Sequence, residues 1–298
     1  MIAYLAFNEF IKDLDFELKN KKAISDRLFI SPDRQKPLWA QSIWYDVEEI
    51  EIASVGDAVK ALKARGKWWA SYSFVHHRRS ELVQEQLPKF KIPPLSFLGK
   101  IPDQPMGAWT MIEKNKILVA ANTSSPFPLG KIQFSEDKVT PPSRAYLKLW
   151  ELFTITGVKP IKGSRCLDLG SCPGGWTWVL QQIGTHVISV DKAPLDTKIA
   201  KLPNIEYLKK DAFQLKPSDI GPIDYLFSDI ICYPPRLLEL VEEWRASGLC
   251  KNFVCTIKFQ AETDWATLEK FKKIPNSRLV HLYHNKHEVT WICLQQNS

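Results

Sequence analysis

Asp168-Leu-Gly-Ser-Cys-Pro-Gly-Gly-Trp176 is the stretch of this 298-residue chain whose reading decides the rest. Just before it, Arg165-Cys-Leu begins a short apolar run of strand type, and residues 176–183 behind it have a helical pattern. A strand, a glycine-rich turn and a helix in that order mark the place where α/β sheets bind ligands, at the carboxyl ends of their strands. Gly170, Gly174 and Gly175 allow close approach of a ligand to the backbone, and Pro173 stiffens the turn. Their spacing is Gly-x-x-x-Gly-Gly rather than the Gly-x-Gly-x-x-Gly of dinucleotide sites, and no Walker lysine follows. A pyrophosphate cofactor is therefore disfavoured.

Downstream, short apolar strands alternate with helices. Strands are expected over 186–191, 205–208, 224–229 and 252–258, with helices over 234–247 and 264–273 between the later ones. Upstream, a helix is expected over 143–153. Such alternation implies right-handed crossovers and a parallel sheet. The last two strands, 278–284 and 287–294, are too closely spaced for a crossover, so they form a hairpin and one of them runs antiparallel. Three acids follow successive strands: Asp191, which lies 21 positions after Gly170, then Asp211 and Asp229. Asp191 can accept hydrogen bonds from both hydroxyls of an adenosine ribose, and Asp211 can meet the adenine edge. A single acid after a strand is more often a cap or turn residue. Three in register weaken that reading.

The first part of the chain differs. Prolines crowd residues 88–105 and again 126–142, where the domain boundary should fall between 130 and 142. This divides the chain into residues 1–135, a smaller α+β domain for substrate or RNA recognition, and 136–298, which carries the chemistry. The net charge is +7 and the pI about 9.0, so a polyanionic partner is plausible. Residues 46–57 hold five acids and no base, whereas residues 60–116 hold eleven Lys or Arg against four acids. Within the basic stretch, residues 63–79 mix cations with Trp68, Trp69, Tyr72 and Phe74, a composition able to stack on bases while holding phosphates. The competing reading is an amphipathic helix over 55–65 and a half-buried strand from Trp69, with the aromatics in the core.

All six cysteines lie in the second half without a C-x-x-C pair, which predicts free thiols in a reducing compartment. His281, His284 and His287 lack acidic partners at ligand spacing, so no metal is expected. Residues 1–16 lack the features of a secretory signal, and no apolar window is long enough to cross a bilayer. A soluble, cytoplasmic protein is the expectation; oligomeric state is not legible.

The glycine stretch, with the Asp-ending strand behind it, resembles the FtsJ-like ribose 2′-O-methyltransferases. The resemblance runs over 124–298. Its flanking motifs, Ser125-Pro-Phe127, Ser143-Arg-Ala-Tyr-Leu-Lys-Leu149 and His287-Glu-Val-Thr290, look closest to the bacterial RlmM branch, which modifies a cytidine of large-subunit (23S) ribosomal RNA. That branch carries a longer RNA-binding region, of THUMP type, ahead of the shared motifs. The resemblance implies a Rossmann-like, mostly parallel sheet ending in an antiparallel hairpin strand. It also implies S-adenosylmethionine as cofactor, held by Ser143, Gly170, Cys172, Pro173, Gly174, Gly175, Trp176, Asp191, Asp211 and Asp229, and RNA as partner. The family's catalytic Lys-Asp-Lys-Glu tetrad is matched here by Lys148, Asp229, Lys258 and Glu288.

Those four positions make chemical sense by themselves, because a parallel sheet gathers its strand ends on one rim. Glu288 should begin a strand lying beside that of Lys258. A ribose hydroxyl is protonated at neutral pH, so methyl transfer needs in-line positioning and a proton acceptor. Lys258 is the candidate base, with Lys148 as a neighbouring cation that eases loss of its proton and with Asp229 and Glu288 fixing its direction. Two other readings stand beside this one. A small-molecule O-methyltransferase would leave the second lysine and the basic stretch without a purpose. A non-catalytic RNA-binding protein would need no paired lysines.

Overall fold

The computed structural model describes residues 1–294; the last four residues of the expected 136–298 domain lie outside the described residues. The chain divides into two units, Met1–Phe134 and Ser135–Ser298.

The first unit contains β1 (Ile2–Ala6), α1 (Ile11–Glu17), β2 (Lys22–Ala23), β3 (Leu28–Ser31), β4 (Ala40–Tyr45), β5 (Glu48–Glu51), α2 (Val55–Lys63), β6 (Trp69–Ser71), α3 (His77–Gln86), β7 (Gly107–Glu113), β8 (Lys116–Ala120) and β9 (Asn122–Thr123). They form a five-stranded sheet of order β2-β3-β1-β4-β9 and a four-stranded sheet of order β5-β8-β7-β6. Successive side chains of a strand point to opposite faces. Trp109, Met111, Ile117 and Val119 therefore join Leu62, Trp69 and Val83 in one core, while Ala108, Leu118 and Ala120 join Leu5, Ile30 and Trp44 in the other. α2 starts where Ser54 accepts a hydrogen bond from the Asp57 N–H and the Asp57 carboxylate accepts one from the Ala53 N–H. The acidic run 46–57 thus supplies an edge strand, β5, and a helix start.

Two expectations for the basic stretch are corrected here. The strand beginning at Trp69 ends at Ser71, because the chain then turns into α3 through His76, whose φ of 51° closes the strand geometry. Trp69 is fully buried, so this aromatic belongs to the core, whereas Tyr72 and Phe74 stack on each other with ring centroids 5.7 Å apart.

The second unit runs α4 (Tyr146–Thr156), β10 (Arg165–Leu169), α5 (Gly175–Gln182), β11 (His186–Asp191), α6 (Thr197–Ala200), β12 (Ile205–Lys209), α7 (Pro217–Ile220), β13 (Tyr225–Ser228), α8 (Pro234–Ala246), β14 (Asn252–Lys258), α9 (Trp265–Lys272), β15 (Ser277–Val280) and β16 (Glu288–Cys293). Its seven-stranded sheet has the order β12-β11-β10-β13-β14-β16-β15. The first five strands in that order are parallel, and β16 is antiparallel to both of its neighbours. This is the Rossmann-like sheet with a hairpin strand. β10, β13 and β14 are almost wholly buried because both faces of a parallel sheet are covered. The strand order reverses direction between β10 and β13, and such a switch point leaves a crevice beyond the carboxyl ends.

The helix expected over 143–153 begins three residues later, at Tyr146. Residues 143–145 are held as a turn: Arg144 pairs with Glu136 at 2.7 Å, and the Trp176 indole N–H donates to the Ala145 carbonyl at 3.0 Å. The hairpin strands are also shorter than expected, and residues 281–287 form the loop between them.

Candidate active site

The carboxyl rim of the second unit presents its side chains in sheet order. Asp211 lies just past β12, Asp191 ends β11, and the glycine turn leaves β10. Asp229 follows β13 and Lys258 ends β14. Because β16 runs the opposite way, its first residue, Glu288, falls on this same rim, directly opposite Lys258. The placement of Glu288 beside the Lys258 strand is as expected.

Lys148 enters from α4, a helix buried from Tyr146 to Thr154. Its ammonium donates to both oxygens of Asp229, at 2.7 and 2.9 Å, and to Glu288 Oε1 at 3.0 Å. It also stands 5.9 Å from the centre of the Trp176 ring. Burial would drive the proton off Lys148, but the two carboxylates outweigh it, and the proton affinity is raised above that of an ordinary lysine. Lys148 is therefore a fixed cation. Lys258 donates to the Asp229 backbone carbonyl at 2.6 Å, and its Nζ lies 3.2 Å from Asp229 Oδ1. Asp229 thus touches both lysines. One expectation needs correcting: Glu288 engages Lys148 rather than directing Lys258, because the helix side chain reaches across to it.

The loop after β10 shows why glycine is required. Gly170 has φ +74°, and a Cβ there would stand 2.5 Å from Ile230 Cγ1; a Cβ at Gly175 would stand 2.7 Å from Ser143 Oγ. Asp191 Oδ2 accepts the Cys172 N–H at 3.0 Å and Oδ1 the Ala193 N–H at 2.9 Å, fixing the carboxylate at the strand end with lone pairs left over. Asp211 accepts the Phe213 N–H at 3.0 Å and pairs with Lys192 at 2.8 Å; the lysine first and the N–H second hold its carboxyl below the usual range. Pro173 shapes the turn. Trp176 is nearly buried, and its indole N–H is committed to Ala145.

Two features escaped the sequence reading. Asp168 is fully buried, and burial pushes its carboxyl up to about 7; Thr177 donates to it at 2.7 Å and also touches Ser189 at 2.8 Å. Glu151, one turn beyond Lys148, accepts the backbone N–H of Tyr283 at 2.7 Å, that of His284 at 3.0 Å, and His284 Nδ1–H at 2.6 Å. His284 therefore does have an acidic partner, supplied by a helix more than a hundred residues away. A lone acid in the apolar run of α4 was the available signal. Among the described residues, no His, Cys, Asp and Glu group has the geometry to hold a metal.

A surface cavity of about 470 Å³, lined by Gly163, Arg165, His186 and Glu206, opens at the opposite rim, where the strands start. It shares no residue with the site above.

Residues 141–287 match the model of the FtsJ-like methyltransferase family, so this part of the chain is an FtsJ-like methyltransferase domain. Within it, the chain is similar to proteins named Ribosomal RNA large subunit methyltransferase M. That of Xanthomonas oryzae pv. oryzae (strain PXO99A) is 35% identical over 190 residues, covering 58% of this chain and 53% of that one. Its counterpart from Xanthomonas euvesicatoria pv. vesicatoria (strain 85-10) is 34% identical over 199 residues, 60% of this chain and 55% of that one. The chain spans about half the length of these relatives. Among solved structures, Aeropyrum pernix fibrillarin with natively bound S-adenosyl-L-methionine superposes with a TM-score of 0.35 at 19% identity, over 44% of this chain and 66% of that one.

The residues fit the S-adenosylmethionine expected from the sequence for a methyltransferase domain of this kind. Among the described residues, the buried Oγ atoms of Ser143 and Ser171 find no hydrogen-bond partner. Such polar atoms, standing beside a glycine cradle, suit the polar amino-acid end of a ligand.

Proposed function

We propose that this chain is an S-adenosylmethionine-dependent RNA ribose 2′-O-methyltransferase acting on a cytidine of large-subunit ribosomal RNA in the cytoplasm. One observation carries the reading: Lys148, Asp229, Lys258 and Glu288 converge on the rim beside the glycine loop. A protein that only bound RNA would gain nothing from two lysines gathered on one carboxylate. In the proposed assignment, Asp191 holds the cofactor's ribose hydroxyls, Asp211 the adenine edge, and Ser143 with the loop of Gly170, Cys172, Pro173, Gly174 and Gly175 the amino-acid end. Trp176 acts from behind by fixing the segment that precedes Lys148, and Asp229 borders the methyl position.

Bound cofactor supplies a methyl carbon already activated by its sulfonium. What remains for the protein is alignment and proton transfer. Lys258 would take up the 2′-hydroxyl proton as the ribose oxygen receives the methyl group. Asp229 orients Lys258 through its carbonyl and carboxylate. Lys148 holds Asp229 in place and places a fixed positive charge beside the oxygen that loses its proton. The basic stretch of residues 60–116 assists by holding RNA phosphates. Among the described residues, no helix is long and apolar enough to cross a membrane.

Nucleoside mass spectrometry of ribosomal RNA from cells with and without the gene tests the reading. Loss of one 2′-O-methylcytidine from the large-subunit RNA on deletion, restored by the wild-type gene, is the expected result. An unchanged nucleoside profile would count against it.

A further inference from the structure

Between the rim carboxylate and α8 the chain reads Asp229-Ile-Ile-Cys-Tyr-Pro-Pro235. Its side chains alternate in burial. Ile230 and Cys232 are buried, whereas Ile231 is 78% and Tyr233 66% exposed. Tyr233 is extended (φ −69°, ψ 143°), and the two prolines that open α8 stiffen the exit from the segment. The alternation in burial turns both Ile231 and Tyr233 to solvent, on either side of a bend at Cys232. A lone exposed apolar side chain needs no explanation. A pair two and four residues beyond the carboxylate that touches both lysines does, because Ile230 and Cys232 already seal the segment onto the core.

The size and surroundings of the pair define its occupant. Two side chains are far too small for a stable protein interface, which takes about 800 Å² from each partner. They match the face of one planar base. Exposed Arg236 lies one turn into α8, its guanidinium 3.8 Å from the centre of the Phe213 ring, and Lys258 lies on the same rim. An apolar platform bordered by cations suits an unpaired base with its phosphate.

We propose that Ile231 and Tyr233 form the seat of the base whose ribose is methylated, the phenol ring stacking on the base face and Ile231 covering its edge. This inference rests on the reading of the site as an RNA ribose methyltransferase, and it assigns substrate positioning to a segment outside the tetrad.

The test uses the full chain with Tyr233→Ala, Ile231→Ala and Tyr233→Phe. All three changes are at the surface and leave the core intact. With ribosomal RNA from cells lacking the gene, Tyr233→Ala should raise KM for RNA roughly 5- to 150-fold, the range for loss of one base–aromatic stack. Changes in kcat at saturating RNA and in cofactor affinity should be much smaller, and Tyr233→Phe should restore KM. A second readout does not need turnover: single-stranded RNA carrying 2-aminopurine should be quenched on binding wild type and not on binding Tyr233→Ala. Wild-type transfer with KM unchanged in both alanine variants overturns the seat and leaves the proposed function standing. Tyr233-dependent quenching without any methyl transfer to RNA has the reverse meaning. A change in self-association with RNA parameters untouched would make the pair a protein contact, and the proposal would fail.

Discussion

Lys258 Nζ rests on the Asp229 carbonyl at 2.6 Å, so Asp229 already aims it before any RNA arrives. Lys258→Ala should cut methyl transfer by about 10²- to 10⁴-fold and leave cofactor affinity nearly intact, since the proposed cofactor contacts come from other strand ends. Lys258→Arg should not rescue, because a guanidinium stays protonated. Single-turnover transfer of labelled methyl, with cofactor affinity measured on the same preparations, checks both; an active arginine variant would reduce Lys258 to an electrostatic role. Asp168 gives a prediction about pH. Its folded carboxyl titrates near 7, above the unfolded value of about 3.9, so the fold favours the protonated form. The resulting stability is complete below about pH 4 and disappears as pH rises through 7, an effect of a few kcal/mol at most. Asp168→Asn should therefore flatten the stability profile between pH 4.5 and 7.5, as followed by urea unfolding at a series of pH values. A profile as steep as wild type would mean that another group titrates there. The residues of this rim were legible because their motif spacing is local to strand ends. Their partners were not: sequence order does not reveal that Lys148 rather than Lys258 takes Glu288, since that depends on how far a helix side chain reaches.

At the scale of elements, Glu151 ties the loop before β16 to α4, the helix of Lys148. Three donors converge on this one buried carboxylate, two of them backbone N–H groups. Glu151→Ala should destabilise the second unit by about 3 kcal/mol, because those donors would be left unpaired in a buried setting. Faster hydrogen exchange at Tyr283 and His284 should accompany the loss. Unchanged protection at both amides would show that the loop is held by other contacts. Most elements of the second unit could be read from sequence because its buried strands are short, mostly apolar runs set between helical stretches. The start of α4 and the turn between β15 and β16 could not, the first being set by Trp176 and by the nearby Glu136, the second by Glu151 from far along the chain. The strands of the first unit were harder still. β2 and β9 are two residues each, too short for any periodicity, and β7 and β8 are buried on both faces, which erases the alternation that marks a strand.

Over the whole molecule, charge is the feature that composition reveals best, and its use depends on which cations are committed elsewhere. Arg78 is exposed and pairs only loosely with Glu81 at 3.2 Å, a contact of little energetic consequence. Arg79 is half-buried and reaches the Ala53 carbonyl at 3.5 Å. Arg78→Ala should therefore lower the slope of log affinity against log salt by roughly 0.7, the share of one single-strand phosphate contact, and Arg79→Ala should lower it less. Filter binding of single-stranded RNA over a range of salt concentrations measures both, and a slope unmoved by Arg78→Ala would return that residue to the solvated surface.

The insertion of β16 between β14 and β15 has a consequence for the life of the chain. Of the seven strands it is the last to leave the ribosome, yet it takes an inner place and brings Glu288 to a lysine made 140 residues earlier. Until it arrives, β14 and β15 both present open edges, and the cofactor cradle is finished before the tetrad is. On the proposed assignment, a chain ending before Glu288 would carry the whole cradle and lack one member of the tetrad, so strand order would make transfer the last capacity the molecule acquires.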